Sequence, residues 1–366
     1  MKNFRKNFNG KTVLITGHTG FKGSWLTTWL LELGAKVVGV SDCIPTTPSH
    51  FTVAHLAKHI QHITANICDA RAVRDIVCET QPDFVFHLAA QPLVRRSYAD
   101  PLTTFQTNTL GTVYVLDALL ELTKPCVAVM ITSDKCYENA EWVWGYRETD
   151  RLGGKDPYSA SKAAAEIIIR SYVESFMRNR SNICIGIGRA GNVIGGGDWA
   201  EDRLVPDCVR AWNTGRHVPV RNPNATRPWQ HVLESLSGYL TLATALVDTP
   251  DLHGHAFNFG PRSEKGQSVQ YLLNSLKEYW PSAGWEIIAD GKNLAKEAVQ
   301  LKLNCDKAMT SLNWSPTLEF GETVKLTCEW YRAYYADPDR SILGTTTRQL
   351  NEYIESAKHK GVSWAQ

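Results

Sequence analysis

Tyr158 and Lys162 stand four residues apart in Tyr158-Ser159-Ala160-Ser161-Lys162, a spacing that puts a phenol and an ammonium on one face of a helix. A phenol with a pKa of about 10 is a poor base at neutral pH. A cation beneath it favours the phenolate, and a fall of about three units corresponds to roughly 4 kcal/mol of differential interaction. Ser133 ends the apolar run Val127–Thr132, where a hydroxyl partner for such a tyrosine is expected. Far upstream, Gly17-His18-Thr19-Gly20-Phe21-Lys22-Gly23 lies between the apolar run Thr12-Val13-Leu14-Ile15-Thr16 and Ser24-Trp25-Leu26-Thr27-Thr28-Trp29-Leu30-Leu31. Read as strand, turn and helix, this segment leaves bare N–H groups where a pyrophosphate can sit. A nucleotide cradle joined to a lysine-assisted tyrosine implies redox chemistry at a secondary alcohol, which neither motif implies alone.

The elements that must position these groups can be read from hydrophobic pattern. Apolar, β-rich runs at 11–16, 36–41, 60–66, 83–88, 126–132 and 182–188 alternate with helical patterns near 22–34, 69–79, 99–122 and 157–180. That alternation predicts an α/β fold, a Rossmann-type parallel sheet wound on both faces. Ligands of such sheets lie at the carboxyl ends of the strands, and the motifs above fall at or just after such ends. Past residue 190 the chain becomes dense in Gly and Pro (Gly195-Gly196-Gly197, Pro206, Pro219, Pro223, Pro228), with arginines between them. The expected division is a dinucleotide-binding domain over 1–188 and a smaller, irregular α/β substrate-binding domain over 189–366. Segments near 228–260 are expected to return to the first domain.

The glycine spacing is G-x-x-G-x-x-G, with Gly17, Thr19, Gly20, Phe21, Lys22 and Gly23 as candidate pyrophosphate contacts. At the end of the second strand, Asp42 can bond ribose hydroxyls and disfavour a 2′-phosphate, which favours NAD over NADP. Asn66 and Ile67 close the third strand, where an adenine edge is expected. Leu88-Ala89-Ala90-Gln91 close the fourth, with small residues admitting the cofactor. No metal site is expected: nine cysteines are scattered without a C-x-x-C pair, which points to reduced thiols in the cytoplasm. A net charge of +2 gives no reason to expect nucleic acid or membrane as a partner, and no apolar stretch reads as membrane-spanning.

These segments resemble the extended short-chain dehydrogenase/reductase family, within it the nucleotide-sugar 4,6-dehydratases and epimerases. The resemblance rests on His18–Leu26, Ser133-Asp134-Lys135-Cys136-Tyr137, the loop Arg189–Trp199 and Arg227-Pro228-Trp229-Gln230-His231-Val232, and it runs from about residue 8 to about 335. It implies that Tyr158, supported by Ser133 and Lys162, takes the proton of a sugar 4-hydroxyl while NAD receives the C4 hydride. A C5 proton and the C6 hydroxyl then leave, giving a 4-keto-6-deoxy sugar. The aspartate that protonates the leaving hydroxyl is present as Asp134. The glutamate that usually takes the C5 proton is replaced by Lys135. The resemblance further implies a nucleotide-sugar substrate, CDP-glucose above others, with Asn192, Arg203, Leu204 and Arg227 as candidate contacts. It also implies assembly as a homodimer or homotetramer through the helices near 99–122 and 157–180, which are apolar on more than one face.

Overall fold

Thr12–Thr16 (β1) is apolar at successive positions because both of its faces are covered, the pattern of a central parallel strand. Val13 and Ile15 pack into one hydrophobic cluster and Leu14 into the other. In the computed structural model, which describes residues 2–262, 266–280, 283–288 and 300–366, β1 lies within a seven-stranded parallel sheet. Its other strands are β2 (Lys36–Ser41), β3 (Gln61–Thr64), β4 (Phe84–His87), β5 (Cys126–Ile131), β6 (Ile183–Arg189) and β7 (Ala256–Asn258), in the spatial order β7-β6-β5-β4-β1-β2-β3. The order reverses between β1 and β4, where the crevice of a doubly wound sheet opens.

The six strands read from the sequence are present within one residue at each end, β3 excepted, which stops two residues short at Thr64. One cluster is covered by α1 (Phe21–Glu32), and the other by α2 (Ala70–Thr80), α3 (Gly111–Leu120) and α4 (Pro157–Tyr172). The helix expected near 99–122 is present over residues 101–120, with a π turn inside it. Asp100 accepts a hydrogen bond from the Thr103 amide and Pro101 opens a new first turn, and a wider π turn over Gln106–Leu110 precedes α3. Asp156 caps α4 by accepting from the Ser159 amide at 2.9 Å, with Pro157 in its first turn.

Beyond β6 the chain forms α5 (Leu204–Asn213) and then α6 (Val232–Asp248), whose side chains pack beneath β5 and β6. β7 pairs with β6, as Ala256↔Ile187 to Asn258↔Arg189. α7 (Phe320–Ala336) and α8 (Leu343–His359) complete the layer over α1. Phe4 stacks on Trp364 at 5.5 Å and Trp29 meets both rings edge-on, which locks the two ends of the chain onto α1.

Candidate active site

Gly17 turns at φ +78°, and a Cβ there would lie 2.6 Å from the Ala89 nitrogen. Only glycine permits the β1–α1 turn to press against the loop after β4. At Gly23 a Cβ would meet the Gly17 carbonyl oxygen at 2.2 Å, so the first turn of α1 folds back on the same loop. Gly20 precedes the helix without a side-chain cap, and among the described residues the amides of Phe21, Lys22 and Gly23 carry no intrachain acceptor. This is a cradle that a Cβ would fill, with free N–H groups at a helix amino end. It fits a dinucleotide pyrophosphate. Thr19 is turned aside, its hydroxyl donating to the Cys43 carbonyl at 2.7 Å.

Ser41 ends β2 beside this turn, and Asp42 follows it, exposed. Asn66 is exposed and its side chain accepts from the Cys68 amide at 2.8 Å. Two of the candidates lie inside the protein. The Ile67 side chain packs against Gly111 in the core. Gln91 is buried with its amide consumed: it donates to the Leu93 carbonyl and the Thr104 hydroxyl, both at 3.0 Å, and accepts from the Leu93 amide at 2.7 Å. It shapes the loop. Leu88, Ala89 and Ala90, by contrast, are half-buried.

The turn after β5 and the first turns of α4 bring Ser133, Asp134 and Lys135 to Tyr158 and Lys162. The Ser133 hydroxyl donates to Asp134 Oδ1 at 2.9 Å and accepts from the Lys135 amide at 3.2 Å. Lys135 Nζ lies 6.0 Å from the centre of the Tyr158 ring. The electrostatics differ from the sequence reading. Burial pushes Tyr158 up to about 12, and the groups that draw it down are Ser133 by a hydrogen bond and Arg203 by charge. Lys162 is itself pushed down to about 8 by burial, with Cys136 and Glu166 acting upward. The same desolvation that excludes water from the phenol weakens the ammonium meant to help it.

The side chain of Lys22 was not legible from the glycine turn. It reaches the Tyr239 hydroxyl at 3.3 Å, and burial pushes it down to about 7, with Arg203 and Lys162 acting the same way. The reaction chamber thus collects Lys22, Lys162 and Arg203 around Asp134, a setting that favours anionic species.

On the substrate side, Arg203 pairs with Asp198 at 2.8 Å, just before Leu204 opens α5. Asn192, at φ +52°, donates to Asp134 Oδ2 at 3.4 Å, which joins the loop after β6 to the catalytic turn. Gly191 is needed there because a Cβ would lie 2.0 Å from the Asp134 carboxylate. Arg227 lies in a short strand (Thr226–Arg227) bordering a cleft lined by Pro228, Gln230, Arg262 and Lys302. The last two cations fall outside every motif. Arg216 and Arg221 are exposed, Arg95 pairs with Asp202 at 2.5 Å, and Trp199 is buried in an aromatic cluster rather than facing a ligand. Glu166 and Arg189, fully buried behind the site, were also missed; a charge on a buried helix face and another ending a buried strand were the available signals.

The family model of the GDP-mannose 4,6 dehydratases matches residues 14–327. The chain is 43% identical over 357 residues to the CDP-glucose 4,6-dehydratase of Salmonella typhimurium, covering 96% of this chain and 98% of that protein. Among solved structures, it is similar to a dTDP-glucose 4,6-dehydratase from Bacillus anthracis in complex with NAD (TM-score 0.73, 19% identity, 88% of this chain and 97% of that one). It is likewise similar to a UDP-glucose 4-epimerase with UDP-glucose from Thermotoga maritima (TM-score 0.76, 24% identity, 88% and 99%). At these identities the two structures establish the fold.

Proposed function

The chain belongs to the GDP-mannose 4,6 dehydratase family, and from that premise we propose that it converts CDP-glucose to CDP-4-keto-6-deoxyglucose. It is a hydro-lyase that recycles NAD. The observation that carries the reading is the placement of Asp134 and Lys135 on one turn beside Tyr158. A 4-epimerase of the same fold needs neither an acid for C6 nor a base for C5, and a non-catalytic dinucleotide-binding sensor needs none of the three.

NAD fits the Gly17–Gly23 cradle, with Asp42 for its ribose and the 88–90 backbone beside it, and when bound it supplies the acceptor for the C4 hydride and the donor that returns it to C6. The chain's own residues manage the protons. Tyr158 takes the 4-hydroxyl proton, with its phenolate supported by Ser133, Arg203 and Lys162. The 4-ketone acidifies C5, Lys135 removes that proton, and Asp134 passes a proton to the departing C6 hydroxyl. After C5 is reprotonated, the net loss is the 4-hydroxyl proton and the C6 hydroxyl, one water. Asn192, Arg203, Leu204 and Arg227 are the proposed nucleotide-sugar contacts, the arginines suited to bidentate phosphate binding.

Among the described residues no helix is long and apolar enough to cross a membrane. We place the reaction in the cytoplasm, in keeping with nine unpaired thiols. We assign assembly with a second copy to the exposed apolar residues of the segment 101–110 and of α4.

Lys135→Met tests the elimination half. The variant is expected to oxidise CDP-glucose to the 4-ketohexose, yet to stop before water loss and to fail in exchanging C5 hydrogen with solvent deuterium. Mass spectrometry of the quenched nucleotide reads both. Normal exchange at C5 would remove Lys135 from the mechanism.

A further inference from the structure

Directly behind the reaction chamber, Glu166 and Arg189 form an ion pair with both side chains fully buried. Arg189 Nε donates to Glu166 Oε1 at 2.7 Å, and Nη2 donates to Oε2, a bidentate grip. Arg189 holds Glu166 below the usual carboxylate range in spite of burial, so the carboxylate stays charged. Burying two charges is a poor route to stability, because desolvation offsets most of their attraction. The pair therefore calls for another account.

The other bonds of Glu166 supply it. Oε1 also accepts from the Thr132 hydroxyl at 2.6 Å, and the charge of the same carboxylate acts on the buried Cys136 thiol, helping to push it up. Thr132 immediately precedes Ser133-Asp134-Lys135, and Cys136 immediately follows. One carboxylate therefore holds the start of the turn that carries the elimination residues by a hydrogen bond and acts by its charge on the residue at its end. Glu166 itself sits on α4, one helical turn beyond Lys162 and two beyond Tyr158, on the face they share. Arg189 extends the lattice: its Nη1 donates to the Tyr137 hydroxyl at 2.6 Å, and Tyr137 donates to Asn258 at 2.8 Å, on β7.

We propose that Glu166 is a positioning residue that holds the elimination turn (Ser133–Lys135) in register with the oxidation helix (Tyr158 and Lys162). The inference rests on the roles assigned above to Lys135 and Tyr158. The two half-reactions act on adjacent carbons of one sugar, C4 and C5, so the two elements must be fixed relative to each other far more closely than either need be fixed to the rest of the fold. Mispositioning by an ångström costs about a hundredfold in rate. Hydrogen bonds from a buried charge are directional and stiff, which apolar packing between a turn and a helix is not.

The decisive variant leaves the ion pair alone. Thr132→Val with Cys136→Ala removes the hydroxyl tether and the neighbouring thiol, keeps Glu166 paired with Arg189 and introduces no charge. CDP-glucose is to be followed through single turnovers by mass spectrometry, with C5 exchange measured in deuterium oxide. The 4-ketohexose is expected to form a few-fold more slowly, because Ser133 rides on the same turn, with KM little changed, while water loss and C5 exchange slow by about tenfold or more beyond that. Thr132→Ser with Cys136 intact retains the hydroxyl and the thiol and is expected to restore elimination. Glu166→Gln is expected to lose elimination too, with a lower thermal midpoint because Arg189 is left unpaired.

Equal slowing of both half-reactions in the double variant, or slowing of neither, overturns the proposal. Should the double variant fail to fold, Thr132→Val alone is measured in the same way, and selective slowing of elimination there supports the proposal while equal or absent slowing overturns it. Normal C5 exchange in Lys135→Met would instead overturn the reading of the site. Blocked exchange there with unimpaired elimination in the tether variant would overturn the strut alone.

Discussion

Lys162 and Tyr158 illustrate how burial acts on opposite charges. Desolvation raises the phenol to about 12 and lowers the ammonium to about 8, so each resists the charged form that catalysis requires. The sign of the pH dependence follows. Tyr158 is a neutral phenol throughout the neutral range, so the supply of phenolate, and with it kcat/KM, rises with pH on the acid side. Lys162 loses its proton as pH rises through about 8 rather than 10.5, and with it the attraction it offers a phenolate one turn away. The kcat/KM for CDP-glucose is therefore expected to rise with pH up to about 8 and to level off above it, the growing supply of phenolate offset by the loss of the Lys162 charge. A profile still rising at pH 9.5 would show that Lys162 does not support the tyrosine as a cation.

Between elements, the tightest tolerance lies where the loop after β6 meets the turn after β5. Gly191 has an ordinary backbone conformation; its lack of a side chain serves only to admit the Asp134 carboxylate, which a Cβ would meet at 2.0 Å. Asn192 then donates to Oδ2 of the same group at 3.4 Å. Gly191→Ala is expected to displace Asp134, cost about 1–3 kcal/mol of stability in urea unfolding by overpacking, and lower kcat by about tenfold or more. Unchanged kcat in the folded variant would mean that Asp134 is not held from this side. Near the amino end of helix α1, Trp25 donates to the Gly196 carbonyl at 2.8 Å and so ties the cofactor cradle to the substrate loop.

At the scale of the whole molecule, the apolar residues of α3 and α4 divide into two sets. Leu116, Leu119, Ile169 and Val173 are consumed by the core beneath the sheet. Ile167 is 58% exposed, and the neighbouring segment leaves Leu102 68%, Phe105 38% and Leu110 44% exposed. Large apolar groups gathered on one side of a chain otherwise able to bury them mark a contact surface. The protein is expected to sediment as a dimer or larger at micromolar concentration, and Ile167→Lys with Leu102→Lys to shift it toward the monomer. A wild-type monomer at that concentration would leave this surface without its assigned partner.

The sequence by itself determined the alternating sheet, the glycine cradle, the pair Tyr158–Lys162 and the turn Ser133–Lys135. Each is local: a strand buried on both faces must be apolar throughout, a turn pressed against backbone must be glycine, and residues four apart on a helix must share a face. Lys135 in place of the family's glutamate was legible for the same reason, since it sits inside a contiguous motif. What only the tertiary structure decided involves residues far apart in the chain. Gln91 turned out to be spent on its own loop, Ile67 on Gly111, and Lys22 to reach Tyr239 across the chamber. The π turn over Gln106–Leu110, inside the helix read over 99–122, left no mark in the hydrophobic pattern. Glu166 and Arg189, 23 residues apart, acquire their meaning only when β6 lies against α4 and the turn after β5. Burial is a property of the packed whole, and through desolvation it sets the charge states on which the chemistry depends.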